Sequence, residues 1–341
     1  MNSEQSTMYN ICMSYCNLYD MRSKKIHIEI LRCFSLLGVI LFHTMGFLDD
    51  HHMVDGKPIA LAIHKFSVFF VGISVSMFMF ISGFLYKPVE KHEVGSFVKK
   101  KALRLLLPYF VFSSLIMLSG GFFDTNELFQ GFWHLWFLLA LFWCFMFSLL
   151  IDYSRKYAFV VLLLAFVMGG IHIKAPGLIR DFKQWYYFFA LGAVIRAHPK
   201  ISEIIKQYYL WIPLILFYVV ITCTVPYHYR QPSVIYELAI SAMVVVFFLI
   251  AEFSNRYMSE NSILKKAILS TGRYSMGIYI FHFWVLIYLL STTSIRVFHI
   301  ETLMQKLPFL TVSALVIVNF IICYTLTAFI SKSKIGKLLL G

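Results

Sequence analysis

The stretch His27-Ile-Glu29-Ile-Leu-Arg32-Cys-Phe-Ser-Leu-Leu-Gly-Val-Ile-Leu-Phe-His43-Thr-Met-Gly46 decides the fold. A helix rises about 1.5 Å per residue, so roughly twenty residues cross about 30 Å of hydrocarbon, and this run is long and apolar enough to do so. It also carries ionisable groups, which cost on the order of 2.5 to 3.5 kcal/mol each at the centre of a bilayer and mark function where they are kept. Arg32 and His43 are eleven residues apart. At 100° per residue that is three turns plus about 20°, so they share one helix face and lie about 16 Å apart along the axis. Glu29, one turn before Arg32 on the same side, is placed to pair with it.

Blocks of the same kind recur to the end of the chain. Of its 341 residues 60% are hydrophobic and only 14% are charged, whereas a soluble domain is about a quarter charged. Ten apolar runs stand out, at 26–48, 66–86, 103–122, 132–151, 156–172, 185–197, 208–225, 234–253, 273–290 and 308–330. The expected fold is all-α, a polytopic membrane bundle of about ten transmembrane helices. With the N-terminus inside, the inner segments carry 21 Lys and Arg and the outer ones 8. That asymmetry predicts both termini in the cytoplasm, with the plasma (inner) membrane as the site.

The expected division is a cytoplasmic extension over 1–24, a transmembrane domain over 25–332 and a short cytoplasmic tail over 333–341. Residues 1–20 contain no signal-peptide core, and Met21, which opens the basic stretch 21–25, is an alternative start. No loop is long enough for a soluble catalytic domain, so chemistry must sit among the helices. No Walker motif or Gly-rich dinucleotide loop is present, which removes ATP-driven transport. The net charge of +13 lies in short inner loops rather than on a separate basic face, so no nucleic-acid partner is expected; membrane lipids are.

Cys33, Cys144, Cys223 and Cys323 fall in or beside apolar runs and read as small core residues, while Cys12 and Cys16 lack companions for a zinc site. Asp49-Asp50-His51-His52 in the first outer loop offers metal-binding residue types, but adjacent loop positions rarely converge on one ion. No metal is expected. Trp133-His134-Leu-Trp136 and Trp185-Tyr186-Tyr187 put aromatic planes near the outer interface, where a sugar would stack and where aromatic belts also form. His282 lies inside the ninth run.

The Arg32-x10-His43 spacing brings in a resemblance. So do Phe80-Ile-Ser82-Gly83-Phe84, Lys101-x2-Arg104 leading to Pro108-Tyr109, His134-Leu-Trp136, and Gly272-Arg-Tyr-Ser-Met-Gly277-Ile-Tyr279-x2-His282. In this order from about residue 25 onward, the chain resembles acyltransferase family 3, the ten-helix membrane O-acyltransferases of cell-surface glycans. The family's third-helix motif usually has two arginines. Here the first is Lys101, which keeps the charge but not the bidentate fork.

The resemblance implies transfer of an acyl group, acetyl in the simplest case, from cytoplasmic acyl-CoA to a hydroxyl of a surface polysaccharide or its lipid-linked precursor. Acyl-CoA would be a donor substrate rather than a tightly bound cofactor. On this reading His43 is the base, with Arg32 either binding the coenzyme or polarising the thioester. Arg104 and Lys101 hold the coenzyme phosphates, and His134, Trp136, His282 and Glu29 serve the substrate side. The competing reading is an exporter of polysaccharide or a small molecule, with the buried charges lining its route. The short tail after the last run leads us to expect transfer completed within the helices.

Overall fold

A computed structural model describes the backbone of residues 3–119, 123–154, 156–170, 177–198, 200, 203, 211–224, 234–259 and 262–340. Side chains are described within these from residue 26 on, apart from 170, 177–180, 222, 223 and 256. All regular structure among the described residues is helical, as expected of a chain that must satisfy its backbone polar groups without water.

The membrane part begins in α1 (Ser3–Asp50), continuous from the expected N-terminal extension through the first span, followed by α2 (Pro58–Phe84). Next come α3 (Val94–Lys101), a π-helical turn over Ala102–Leu106 and α4 (Leu107–Ser119), which together form one rod. The short α5 (Thr125–Gln130) leads into α6 (Trp136–Ser148). Then follow α7 (Ala158–Gly170), α8 (Gly177–Ala197), α9 (Trp211–Thr224), α10 (Val234–Tyr257) and α11 (Ile263–Leu289). Two short helices, α12 (Thr292–Val297) and α13 (Ile300–Lys306), precede α14 (Pro308–Ile330) and the terminal α15 (Lys334–Leu340).

A helix thus occupies each of the ten expected runs. Among the described residues, six helical stretches meet the length and hydropathy needed to cross a membrane: 26–50, 58–84, 91–119, 125–148, 234–255 and 308–330. The stretches at 158–169 and 211–221 are apolar but shorter. Several helices start well before the apolar run within them, α2 at Pro58 and α11 at Ile263. Hydropathy marks only the part in hydrocarbon, whereas the backbone stays helical into the polar boundary. The chain is a multi-pass helical membrane protein.

α1 stands at the centre, packed by α2, α10, α11 and α14. This position is what encloses its ionisable face. Small residues allow the tightest crossing, between α2 and α8: a Cβ on Gly83 would overlap the Phe189 carbonyl and one on Gly192 the Phe80 carbonyl. Large apolar side chains left exposed, such as Phe159, Leu164, Ile321 and Phe329, form the surface offered to lipid. α15 turns back against the π turn and α4, and buries Leu340.

Candidate active site

Two cavities contain expected site residues; the first, about 270 Å³, is lined in part by basic side chains. Arg32 comes from α1, Lys101 from the end of α3 and Arg104 from the π turn, with Ser82 of α2 and Tyr279 of α11 also on its wall. A π turn inserts one extra residue per turn and recurs at functional sites. Arg32 Nη1 donates to Glu29 Oε1 at 2.9 Å and to Oε2 at 3.1 Å. The pairing expected from sequence is therefore present. It depends on Gly272 of α11, where any Cβ would overlap the Glu29 carboxylate. The Lys101 ammonium sits 3.4 Å from the centre of the Phe145 ring, a cation–π contact. Among the described residues Lys101 and Arg104 join no salt bridge, so one carboxylate stands against three cations here.

The second cavity, about 440 Å³, is lined by His43, His134, Trp133, Trp136, Trp185, Asp181 and Gln184, with Phe42, Phe283 and Gly131. Two histidines, His43 and His134, are on its wall, and a third, His282, lies behind them. The His43 ring centre lies 5.2 Å from that of His282 and 6.4 Å from that of His134, and the latter two are 5.1 Å apart. Phe283 stacks on His134 at 4.8 Å.

Hydrogen bonds assign the protons on two of these rings. A carbonyl can only accept, so His134 Nε2, 3.1 Å from the Ile280 carbonyl, carries hydrogen. His282 Nδ1 likewise donates to the Tyr279 carbonyl. The other nitrogens, His134 Nδ1 and His282 Nε2, are buried without a hydrogen-bond partner. His282 is braced from α14, where Asn319 Nδ2 donates to its carbonyl at 2.8 Å.

The wall between the cavities is thin. Tyr279 lines the first, and its hydroxyl donates to the backbone carbonyl of His134, which lines the second. Trp133 enters this region with φ of 43°, a left-handed backbone that a bulky side chain rarely adopts. It is clamped between Phe132, stacked at 5.1 Å, and Phe283 at 5.3 Å.

The candidates thus gather into two groups, Arg32, Glu29, Lys101 and Arg104 in one, His43, His134, Trp136 and His282 in the other. His282 is fully buried and lines neither cavity; it touches the site through the other two histidines. Of Trp185-Tyr186-Tyr187, only Trp185 faces the second cavity, because consecutive helical residues point about 100° apart. The Tyr186 hydroxyl instead pairs with Tyr153 at 2.6 Å and Ser148 at 3.4 Å. Asp49 and Asp50 end α1, and His52 reaches the exposed Asp55 at 3.1 Å. Among the described residues no three His, Cys, Asp or Glu side chains are grouped to hold an ion.

Asp181, Gln184, Tyr279 and Asn319 were not among the expected site residues. Asn319 had a signal, a lone amide in a span without a charged residue. Asp181 and Gln184 had only their i, i+3 spacing, in a segment that reads as loop.

No curated protein and no solved structure matches the chain. The family model described as an acyltransferase domain matches residues 26–328, nearly the whole chain. That span runs through every helix that contributes to the two cavities, so the chain belongs to acyltransferase family 3 and is a membrane acyltransferase.

Proposed function

We propose that this enzyme transfers an acyl group, acetyl in the simplest case, from acyl-CoA to a hydroxyl of a cell-surface polysaccharide or its lipid-linked precursor. The observation that carries the reading is the pairing of a cavity rich in cations with one lined by histidines and tryptophans, across a thin wall. On this reading both termini and the cationic mouth face the cytoplasm, and the protein resides in the plasma membrane.

Lys101 and Arg104 hold the coenzyme phosphates, where an excess of positive charge in a partly enclosed site favours an anion. Arg32, fixed by Glu29, either extends that grip or polarises the thioester carbonyl. His43 takes the proton of the acceptor hydroxyl. The oxygen then attacks the thioester carbon and the carbon–sulfur bond breaks. The proton passes from His43 to the departing thiolate, so charge and atoms balance. His282, its ring against that of His43, positions it, while His134 and Trp136 meet the acceptor.

Replacing His43 by alanine tests this. The expected result is a surface glycan that arrives in normal amount without its acyl groups, measured by mass spectrometry. Loss of the glycan itself would favour export, and normal acylation would overturn the assignment of His43.

A further inference from the structure

We infer that α8 carries the specificity subsite for the acceptor, with Asp181 and Gln184 binding two hydroxyls of a pyranose ring laid against Trp136. This rests on the proposed transfer to a saccharide and concerns which hydroxyl reaches His43. Asp181, Gln184 and Trp185 are spaced i, i+3, i+4, so they project from one face of α8, and all three line the cavity that contains His43. Asp181 and Trp185 are buried, so their positions are set by packing.

Trp185 stacks beneath Trp136 with ring centres 5.9 Å apart and planes inclined by 30°. That leaves Trp136, half-buried, as the upper plate of a two-ring platform. An apolar plate with polar groups at its edge matches a sugar ring, which has C–H bonds on its faces and hydroxyls around its rim. Gly131 completes the recess. Its φ of 97° suits glycine alone, and a Cβ there would come 3.0 Å from Trp136 Cβ and 3.6 Å from Asp181 Oδ2. The absent side chain keeps the space between carboxylate and indole open.

A carboxylate accepts hydrogen bonds and cannot donate, whereas the amide of Gln184 does both. Together they distinguish the orientation of two neighbouring hydroxyls. Epimers that differ at one hydroxyl should therefore react unequally, because inverting that hydroxyl moves it away from the group placed to bind it.

The test uses the full-length protein in proteoliposomes with acetyl-CoA and three probes, the methyl glycosides of glucose, galactose and mannose. For each probe, thiol release and sugar acetylation give kcat and KM. Asp181→Asn should raise the acceptor KM for the preferred probe by about tenfold, the scale of one lost charge-assisted hydrogen bond, and should flatten the ranking of the three. The KM for acetyl-CoA should stay unchanged. Gln184→Ala, which removes no buried charge, should alter the ranking independently of any folding defect in the first variant. If both variants scale all three probes equally, or if the acetyl-CoA KM moves with the acceptor KM, the subsite is refuted while transfer to saccharides stands. If the wild-type protein acetylates none of the probes, the saccharide reading and the subsite fall together.

Discussion

Gly272→Ala is a small change with a large expected effect. In an ordinary helix, alanine in place of glycine stabilises by about 1 kcal/mol. Here the new methyl would occupy the space of the Glu29 carboxylate, and Glu29 Cβ itself would be only 3.0 Å away. Either α1 and α11 move apart or the carboxylate swings out. The first is overpacking, which costs roughly 1 to 3 kcal/mol. The second breaks both contacts from Arg32, at 2.9 and 3.1 Å, and losing such a charge-assisted interaction costs about 1.5 to 3 kcal/mol. The side chains of Arg32 and Glu29 are 25% and 16% exposed, so water screens the pair only in part. After the helix-propensity gain, the net loss is about 1 kcal/mol.

The assay is a double-mutant cycle of wild type, Gly272→Ala, Glu29→Ala and the double variant, read by unfolding in detergent and by the KM for acyl-CoA. With Glu29 cut back to alanine the carboxylate no longer blocks the methyl. Gly272→Ala should then be stabilising by up to about 1 kcal/mol, and the coupling, the difference between the two backgrounds, should approach about 2 kcal/mol. In the Glu29-containing protein the same substitution should also raise the donor KM several-fold, because Arg32 loses its anchor. Equal destabilisation in both backgrounds would refute the idea that Gly272 exists to seat Glu29.

Two further outcomes separate the cavities. Lys101→Ala and Arg104→Ala should each raise the acyl-CoA KM by about tenfold or more, the scale of one charge-assisted contact to phosphate, with Lys101→Arg largely restoring it; an unchanged donor KM would exclude both side chains from coenzyme binding. Asn319→Leu removes the donor to the His282 carbonyl and should lower kcat with little change in donor KM, measurable by steady-state thiol release, whereas a selective rise in donor KM would contradict a role confined to the histidine cluster.

Much of this was open to reading along the chain. The apolar runs and the basic loops follow from composition, because transfer into hydrocarbon is decided residue by residue. The common face of Arg32 and His43, and the reach of Glu29 to Arg32, follow from the helical repeat within one element. By contrast, Trp185 and Tyr186 stand side by side in sequence yet belong to different environments, one on the His43 cavity and one bonded to Tyr153. Their separation was not visible until α8 had a rotation and a neighbour.

The sequence alone determined that this is a bundle of membrane helices with Arg32 and His43 on one face of the first, since hydropathy and helical periodicity are local properties. Tertiary structure decided that His43, His134 and His282, from three different helical segments, form one cluster. It also decided that Lys101 and Arg104 share a cavity with Arg32, and that Asp181 and Gln184 line the other together with His43. The reason is physical. Lipid is as apolar as the bundle core, so hydrophobicity does not record which face of a helix meets its neighbour, and close packing at positions such as Gly83, Gly192 and Gly272 fixes that choice.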